Sequence, residues 1–293
     1  MKYDVLHETV YSYGSPVVLS QQLLHLTPRM LDFQRLGAHR IDIQPAPSES
    51  ATRDDYFGNP VTQIMLAAPH ASLAVHAQSS IEVMPRRAPA ATEPWEQARD
   101  RLRHGGGEAL LEPKQFLFES PHIEFFRDLA AYAEPSFGKG RDLLEAALDL
   151  TRRIHADFKF DPKATSVSTP LREVLARRRG VCQDFAHFMI GCLRSLGLPA
   201  RYVSGYILTS PPPGKPRLIG ADASHAWVSA WCGGAAGAAG SWIDFDPTNN
   251  MLVGEQHITL AWGRDFSDVT PMRGVILGGG EQELEVRVTV TPQ

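Results

Sequence analysis

Up to about Pro85 the apolar residues of this chain recur at every second position, and beyond about residue 90 they recur every third or fourth. That switch of period constrains the fold more than any other feature. YDVLHETVYSY, HRIDIQP, NPVTQIMLA and SLAVHAQSSIEVMP are β-branched or alternating runs, punctuated by the turn signals Tyr13-Gly14-Ser15-Pro16 and Phe57-Gly58-Asn59-Pro60. They predict an antiparallel sandwich or half-barrel. The segment RRAPAATEPWEQARDRLRHGGG then supplies a Pro-rich linker, a helix and a triple-glycine stop, and PHIEFFRDLAAYAEP and RDLLEAALDLTRRIHADF carry helical spacing. The expected class is α+β: a β-sandwich unit over residues 1–88 and a helix-plus-antiparallel-sheet unit over 89–293, with the boundary near residues 86–94.

A chain of 293 residues, 43% hydrophobic and 21% charged, is long enough for one large core or two modest ones. Its net charge of -4, with lysines and arginines scattered among acids, leaves no basic patch for nucleic acid. The N-terminus MKYDVLHETVYSYG alternates instead of running apolar, and no stretch approaches the ~18 apolar residues of a membrane span. Neither a signal peptide nor a membrane partner is expected, and the default address is the cytoplasm. Three cysteines, Cys182, Cys192 and Cys232, are an odd number and argue against a disulfide framework. His7, His25, His39, His70 and His76 show no ligand spacing and read as surface or satisfied core residues.

Chemistry concentrates further on. In GVCQDFAHFMIG, residues 180–191, Cys182 stands behind Gly180, the natural stop of the helix TPLREVLARRRG, and opens a new helix. Phe185, Met189, Cys192, Leu193 and Leu196 share one stripe of that helix, which Gly197-Leu198-Pro199 ends. A helix N-terminus presents free N–H groups and positive potential, which favour a thiolate and supply half of an oxyanion hole. Cys192 reads as core. His187 lies about 7.5 Å up the axis and rotated away, so it is not the base. Asp184 reads as a helix cap.

The base candidate is His225, at the head of the alternating strand SHAWVSAW, on one face with Trp227, Ser229 and Trp231. After a Gly/Ala-rich connection, WIDFDPTNN returns as a strand. Asp244 and Asp246 point to one face of it, so alternation lets either orient the His225 ring. The Pro/Gly loop TSPPPGKPRLIGAD just before His225 is placed to act as a lid, its core being residues 211–216. Competing readings are a Trp-rich core in which Cys182 and His225 never meet, and a metal site drawn from Cys182, His187, Cys192, His225 and Cys232. Zinc lacks a C-x-x-C or H-x-x-x-H pair, and no acidic cluster suggests calcium, so no metal and no cofactor are expected.

The ordered set GVCQDFAHFMIGCLRSLGLPARYVSGY, DASHAWVSAW and WIDFDPTNN resembles the bacterial branch of the transglutaminase-like superfamily, papain-like thiol enzymes. STPLREVLARRRGVC, HITLAWGRDFSDVTPMRGVILGGG and LEVRVTV extend the likeness, and HETVYSYGSPV with DDYFGNPV resembles the β-sandwich domain that precedes the core in that branch. The resemblance implies Cys182 as nucleophile, His225 as base and Asp246 as orienting acid, with Tyr206 and Trp227 as pocket walls and Asp244 as a rim residue. It implies acyl transfer on a peptide or protein amide. Hydrolysis by a cysteine peptidase or amidase is the expected outcome, with amine transfer by a protein-glutamine transglutaminase and an inactive binding module as alternatives. Arg264 and Asp265 of GRDF are expected to form an ion pair that fixes the C-terminal loop.

Overall fold

The computed structural model describes residues 1–209, 224–233 and 240–293. Strands β1 (Lys2–Leu24), β2 (Gln34–Gln44), β3 (Glu49–Asp54), β4 (Pro60–Leu66) and β5 (His70–Val83) come first, in the spatial order β2-β5-β1-β4-β3. Helices α1 (Trp95–His104), α2 (Leu111–Lys114), α3 (Arg127–Ala133) and α4 (Leu143–Asp157) follow. The short parallel pair β6 (Lys159–Phe160) and β7 (Arg179–Gly180) brackets α5 (Leu171–Arg177) and leads into α6 (Cys182–Ser195). A second antiparallel sheet, ordered β11-β10-β9-β8-β12, contains β8 (Ala200–Ile207), β9 (Ser224–Cys232), β10 (Ser241–Asp246), β11 (Met251–Leu252) and β12 (His257–Gly263). The chain closes with α7 (Phe266–Val269), β13 (Met272–Gly278) and β14 (Gln282–Pro292). The class is α+β, as the two periodicities predict.

The turn signal at Tyr13–Pro16 does not end its strand. β1 runs through it and changes neighbours there: Lys2–Ser12 pairs with β5 and Tyr3–Tyr13 with β14, whereas Ser20–Leu24 pairs with β4 and Val17–Leu24 with β13. The Gly14 N–H donates to the Glu281 carbonyl at 2.7 Å, an approach that a side chain at Gly14 would crowd. A Gly-Ser-Pro in mid-strand therefore bends β1 so that each half meets a different pair of strands. The sheet also takes its last two strands from the C-terminus, which the sequence groups with residues 89–293.

The two sheets share one apolar core. Tyr3, Val5, Ile81, Val83, Val288 and Val290 pack in the same cluster as Leu129, Phe185, Phe188 and Val228. Two side-chain amides complete the join: Gln34 exchanges two 2.8 Å hydrogen bonds with the backbone of Thr259, and Asn59 exchanges two 2.9 Å bonds with that of Trp262. Edge strand β12 is thereby capped by the first sheet instead of exposing its backbone.

Helix α6 is buried on all sides from Asp184 to Arg194, not on a single stripe. It packs against α3, α4 and α5 as well as β8 and β9, so its buried surface runs right round the helix, and a Cβ on Gly191 would touch Leu129 and Leu171. Its end is a Schellman motif: Gly197, at φ 80°, donates to Arg194 O, and Leu198 donates to Leu193 O. The helix before it stops earlier than Gly180, at Arg178, which takes the left-handed conformation (φ 49°). Gly180 has a different task. A Cβ there would lie 2.4 Å from Asp184 Oδ2, so glycine makes room for the cap of α6.

Candidate active site

Three elements converge at the start of α6. Cys182 is its first residue and is partly exposed, in contrast to fully buried Cys192 and Cys232. The Asp184 carboxylate accepts the Val181 N–H at 2.8 Å and the Thr165 hydroxyl at 2.6 Å. It thus caps the helix, as expected. Burial raises the Asp184 carboxyl, against the pull of these two hydrogen bonds.

His225 is the second residue of β9, and Asp246 ends β10. The strands are antiparallel with Phe245 opposite Val228, so Asp246 stands level with Trp227 and nearest the His225 end. His225 Nε2 lies 2.7 Å from Asp246 Oδ2, and Cys182 is close enough to the same ring to help raise its pKa. With Nε2 taken by the carboxylate, Nδ1 is the nitrogen left for sulfur. The structure therefore brings Cys182, His225 and Asp246 together, with the His225–Asp246 hydrogen bond formed.

Its electrostatics follow from burial and pairing. Burial alone would lower His225, but the hydrogen bonds to Asp246 and Cys182 and their charges outweigh it and raise it to about 10. Asp246 is fully buried, which by itself would raise its carboxyl. Hydrogen bonds from His225 and His257, the charge of His225 and the Asn249 amide instead hold it well below the usual carboxylate range. Its Oδ1 accepts the backbone N–H of Thr248 (2.9 Å) and Asn249 (3.0 Å), while Oδ2 accepts His225, Asn249 Nδ2 (2.7 Å) and His257 Nε2 (3.1 Å). DPTNN is thus a tight turn folded around its own aspartate.

The remaining expected residues lie elsewhere or do other work. Asp244 is opposite Ser229 and bound to Arg86 Nη1 at 2.7 Å, a rim ion pair away from His225. Tyr206 and Trp227 are 1% and 0% exposed, so neither offers a surface to a substrate in this conformation. The Tyr206 hydroxyl meets His7 Nδ1 of β1 at 2.9 Å and so ties the sheets together. His187 Nε2 accepts the Phe266 N–H at 3.1 Å, and burial lowers this ring to about 3. Arg264 does not pair with its neighbour Asp265. It takes Asp268 in a two-pronged bond at 2.9 Å, while Asp265 caps α7 and accepts the His122 N–H. The loop 211–216 lies outside the described residues.

His257 and Asn249 escaped the sequence reading. Asn249 was visible as part of DPTNN; His257 had no signal, being one histidine at the head of an ordinary strand. His225, Asp246 and His257 also form a group of metal-ligand type, with ligand atoms within 4.8 Å of one another. Hydrogen bonding between the rings and the carboxylate accounts for that spacing without a cation. No helix among the described residues is long and apolar enough to cross a membrane.

Comparison with known proteins identifies the family of the fold. Residues 3–82 match the bacterial transglutaminase-like N-terminal region, and residues 130–247 match the transglutaminase-like superfamily. An uncharacterized protein of Mycobacterium tuberculosis is 40% identical over 297 residues, covering 99% of this chain and 93% of its own. One from Mycobacterium leprae is 32% identical over 290 residues, covering 98% and 97%. A protein-glutamine gamma-glutamyltransferase of Pseudomonas aeruginosa is 33% identical over 121 residues, 40% of this chain and 16% of that one. A crystal structure from Cytophaga hutchinsonii, provisionally described as a cysteine protease, superposes with a TM-score of 0.74 at 20% identity, over 100% of this chain and 91% of that one. The chain belongs to the bacterial branch of the transglutaminase-like superfamily.

Proposed function

We propose that this protein is a thiol-dependent acyl-transfer enzyme, a cysteine peptidase or amidase in which Cys182 attacks an amide carbonyl and water resolves the thioester. The observation that carries this reading is the grouping of partly exposed Cys182 beside His225, whose ring is hydrogen-bonded to buried Asp246. Hydrogen bonding to Asp246 outweighs burial and raises the His225 ring, and an imidazolium beside Cys182 stabilises the thiolate that must attack. The thiolate bonds to the carbonyl carbon, and the oxygen takes the charge within reach of the N–H groups of α6. His225 Nδ1 then gives its proton to the leaving amine as the C–N bond breaks, and a thioester remains. Water loses a proton to Nδ1 as it attacks; the C–S bond breaks, the acid leaves, and the ion pair returns. Asp246 holds the ring orientation and offsets the imidazolium charge throughout.

A second reading replaces that water by an amine such as a lysine side chain. The similarity to the Pseudomonas aeruginosa glutamyltransferase favours it. A cytoplasmic address goes with either reading, since three unpaired cysteines suit a reducing compartment. The test is to incubate the protein and Cys182→Ala with a peptide-amide library and a biotinylated amine, with mass spectrometry as readout. Cys182-dependent hydrolysis supports the first reading and Cys182-dependent amine incorporation the second. Neither product, together with an inert Cys182, would leave a binding module.

A further inference from the structure

We infer that His257 is a positioning residue for the Cys182–His225–Asp246 chain: it holds the Asp246 carboxylate in the rotation that keeps Oδ2 on His225. The inference rests on the acyl-transfer reading above. His257 is the first residue of β12, an element that contributes nothing else to this chain, and it is fully buried. Its Nε2 lies 3.1 Å from Asp246 Oδ2, and the Gly254 N–H points at its Nδ1 from 3.5 Å. A backbone N–H can only donate, so Nδ1 is the bare nitrogen and the ring proton sits on Nε2, directed at the carboxylate.

The surroundings leave the ring little freedom. Trp227, fully buried, meets His257 edge to face with centroids 5.3 Å apart and planes at 79°, and the His225 and His257 rings are 6.0 Å apart. Asp246 Oδ1 is tethered by two backbone N–H groups, but Oδ2 is held by side chains alone: His225, Asn249 and His257. Without the His257 donor, the oxygen that grips His225 keeps only one other partner, the Asn249 amide, and is held less firmly in place. The titratable groups facing His257 are Asp246 from β10 and His225 from β9, with Cys182 of α6 beyond the latter; β8 presents Ile207 across the register. His257 thus acts on the thiolate only through Asp246 and His225.

The experiment compares the rate of Cys182 alkylation by iodoacetamide at pH 6 and pH 9 in the native protein, His257→Phe and His257→Gln. Phenylalanine keeps a ring against Trp227 but donates nothing, whereas glutamine restores an N–H donor. The expected result for His257→Phe is a loss of about tenfold at pH 6, the worth of a hydrogen bond to a charged group, with a near-native rate at pH 9 and recovery in His257→Gln. An equal fall at both pH values with no recovery by glutamine marks a packing role and overturns the inference. So does a native profile that collapses in His225→Ala but is untouched by His257→Phe. A native rate indifferent to His225→Ala overturns the acyl-transfer reading and this inference together. Should His257→Phe not fold, nitrogen-15 histidine NMR of the native protein decides: a proton on His257 Nε2 supports the inference, and a proton on Nδ1 overturns it.

Discussion

The side-chain amide of Gln34 pairs with the backbone of Thr259 as a neighbouring strand would, donating to its carbonyl and accepting its N–H, both at 2.8 Å. Both residues are buried. One strand of the first sheet thereby satisfies the irregular stretch of β12, where the pairing with β8 slips between Thr259 and Ala261. Replacing Gln34 by leucine strands a buried donor and acceptor. The expected cost is about 2 kcal/mol, read as a drop in the urea midpoint. An unchanged midpoint would mean that the amide is dispensable.

The stability of the site carries a pH signature. His225, raised to about 10, contributes stability that is complete below its unfolded value of about 6.5 and is lost as the pH climbs through its folded value. Asp246, depressed, contributes above its unfolded value of about 3.9 and loses that contribution as the pH falls through its folded value. The advantage of the native protein over His225→Asn in urea unfolding is therefore expected at pH 6 and reduced at pH 10. An advantage constant between these pH values would contradict the pairing.

Gly180 and Asp184 form one device. Gly180→Ala places a Cβ against Asp184 Oδ2, and Asp184→Ala removes the cap on Val181. Each change alone is expected to cost about 1–2 kcal/mol, but the glycine change is expected to cost less once Asp184 is gone. Simple addition of the two in a double-mutant cycle would show that they do not interact.

Two arginines near the C-terminal loop differ in worth. Arg194, 2% exposed, donates to the carbonyls of Phe118, Ala200 and Arg264 and to the Ser120 hydroxyl, and burial lowers it to about 9. Arg194→Met strands those acceptors and is expected to cost more than about 3 kcal/mol. Arg264→Ala removes only a partly exposed pair with Asp268 and is expected to cost about 1 kcal/mol or less in the same melt. The reverse ranking would contradict the burial argument.

Local pattern reveals what is local. The α+β class and the β9 and β10 strands follow from periodicity, and the Asp184 cap from its place in the first turn of the helix that Cys182 opens. The choice between Asp244 and Asp246 does not, because it depends on the register of a hairpin: Asp244 falls opposite Ser229, four positions or about 13 Å along the strand from His225. Gly14 looks like a turn because its mid-strand role appears only when Glu281, from the far end of the chain, packs against it. The Arg264 partner is likewise four residues away on α7, not beside it. His257 is invisible because its meaning lies in Asp246, across the sheet.

The central claim is that Cys182 is activated by His225. The most direct measurement is the alkylation rate of each cysteine by iodoacetamide between pH 5 and 9, read by peptide mass spectrometry, in the native protein and in His225→Ala. The account predicts that Cys182 alone reacts fast, stays fast below pH 7, and slows about tenfold or more in the variant, while buried Cys192 and Cys232, whose thiols burial pushes upward, remain inert. A Cys182 as slow as Cys192, and unchanged by the loss of His225, would contradict it.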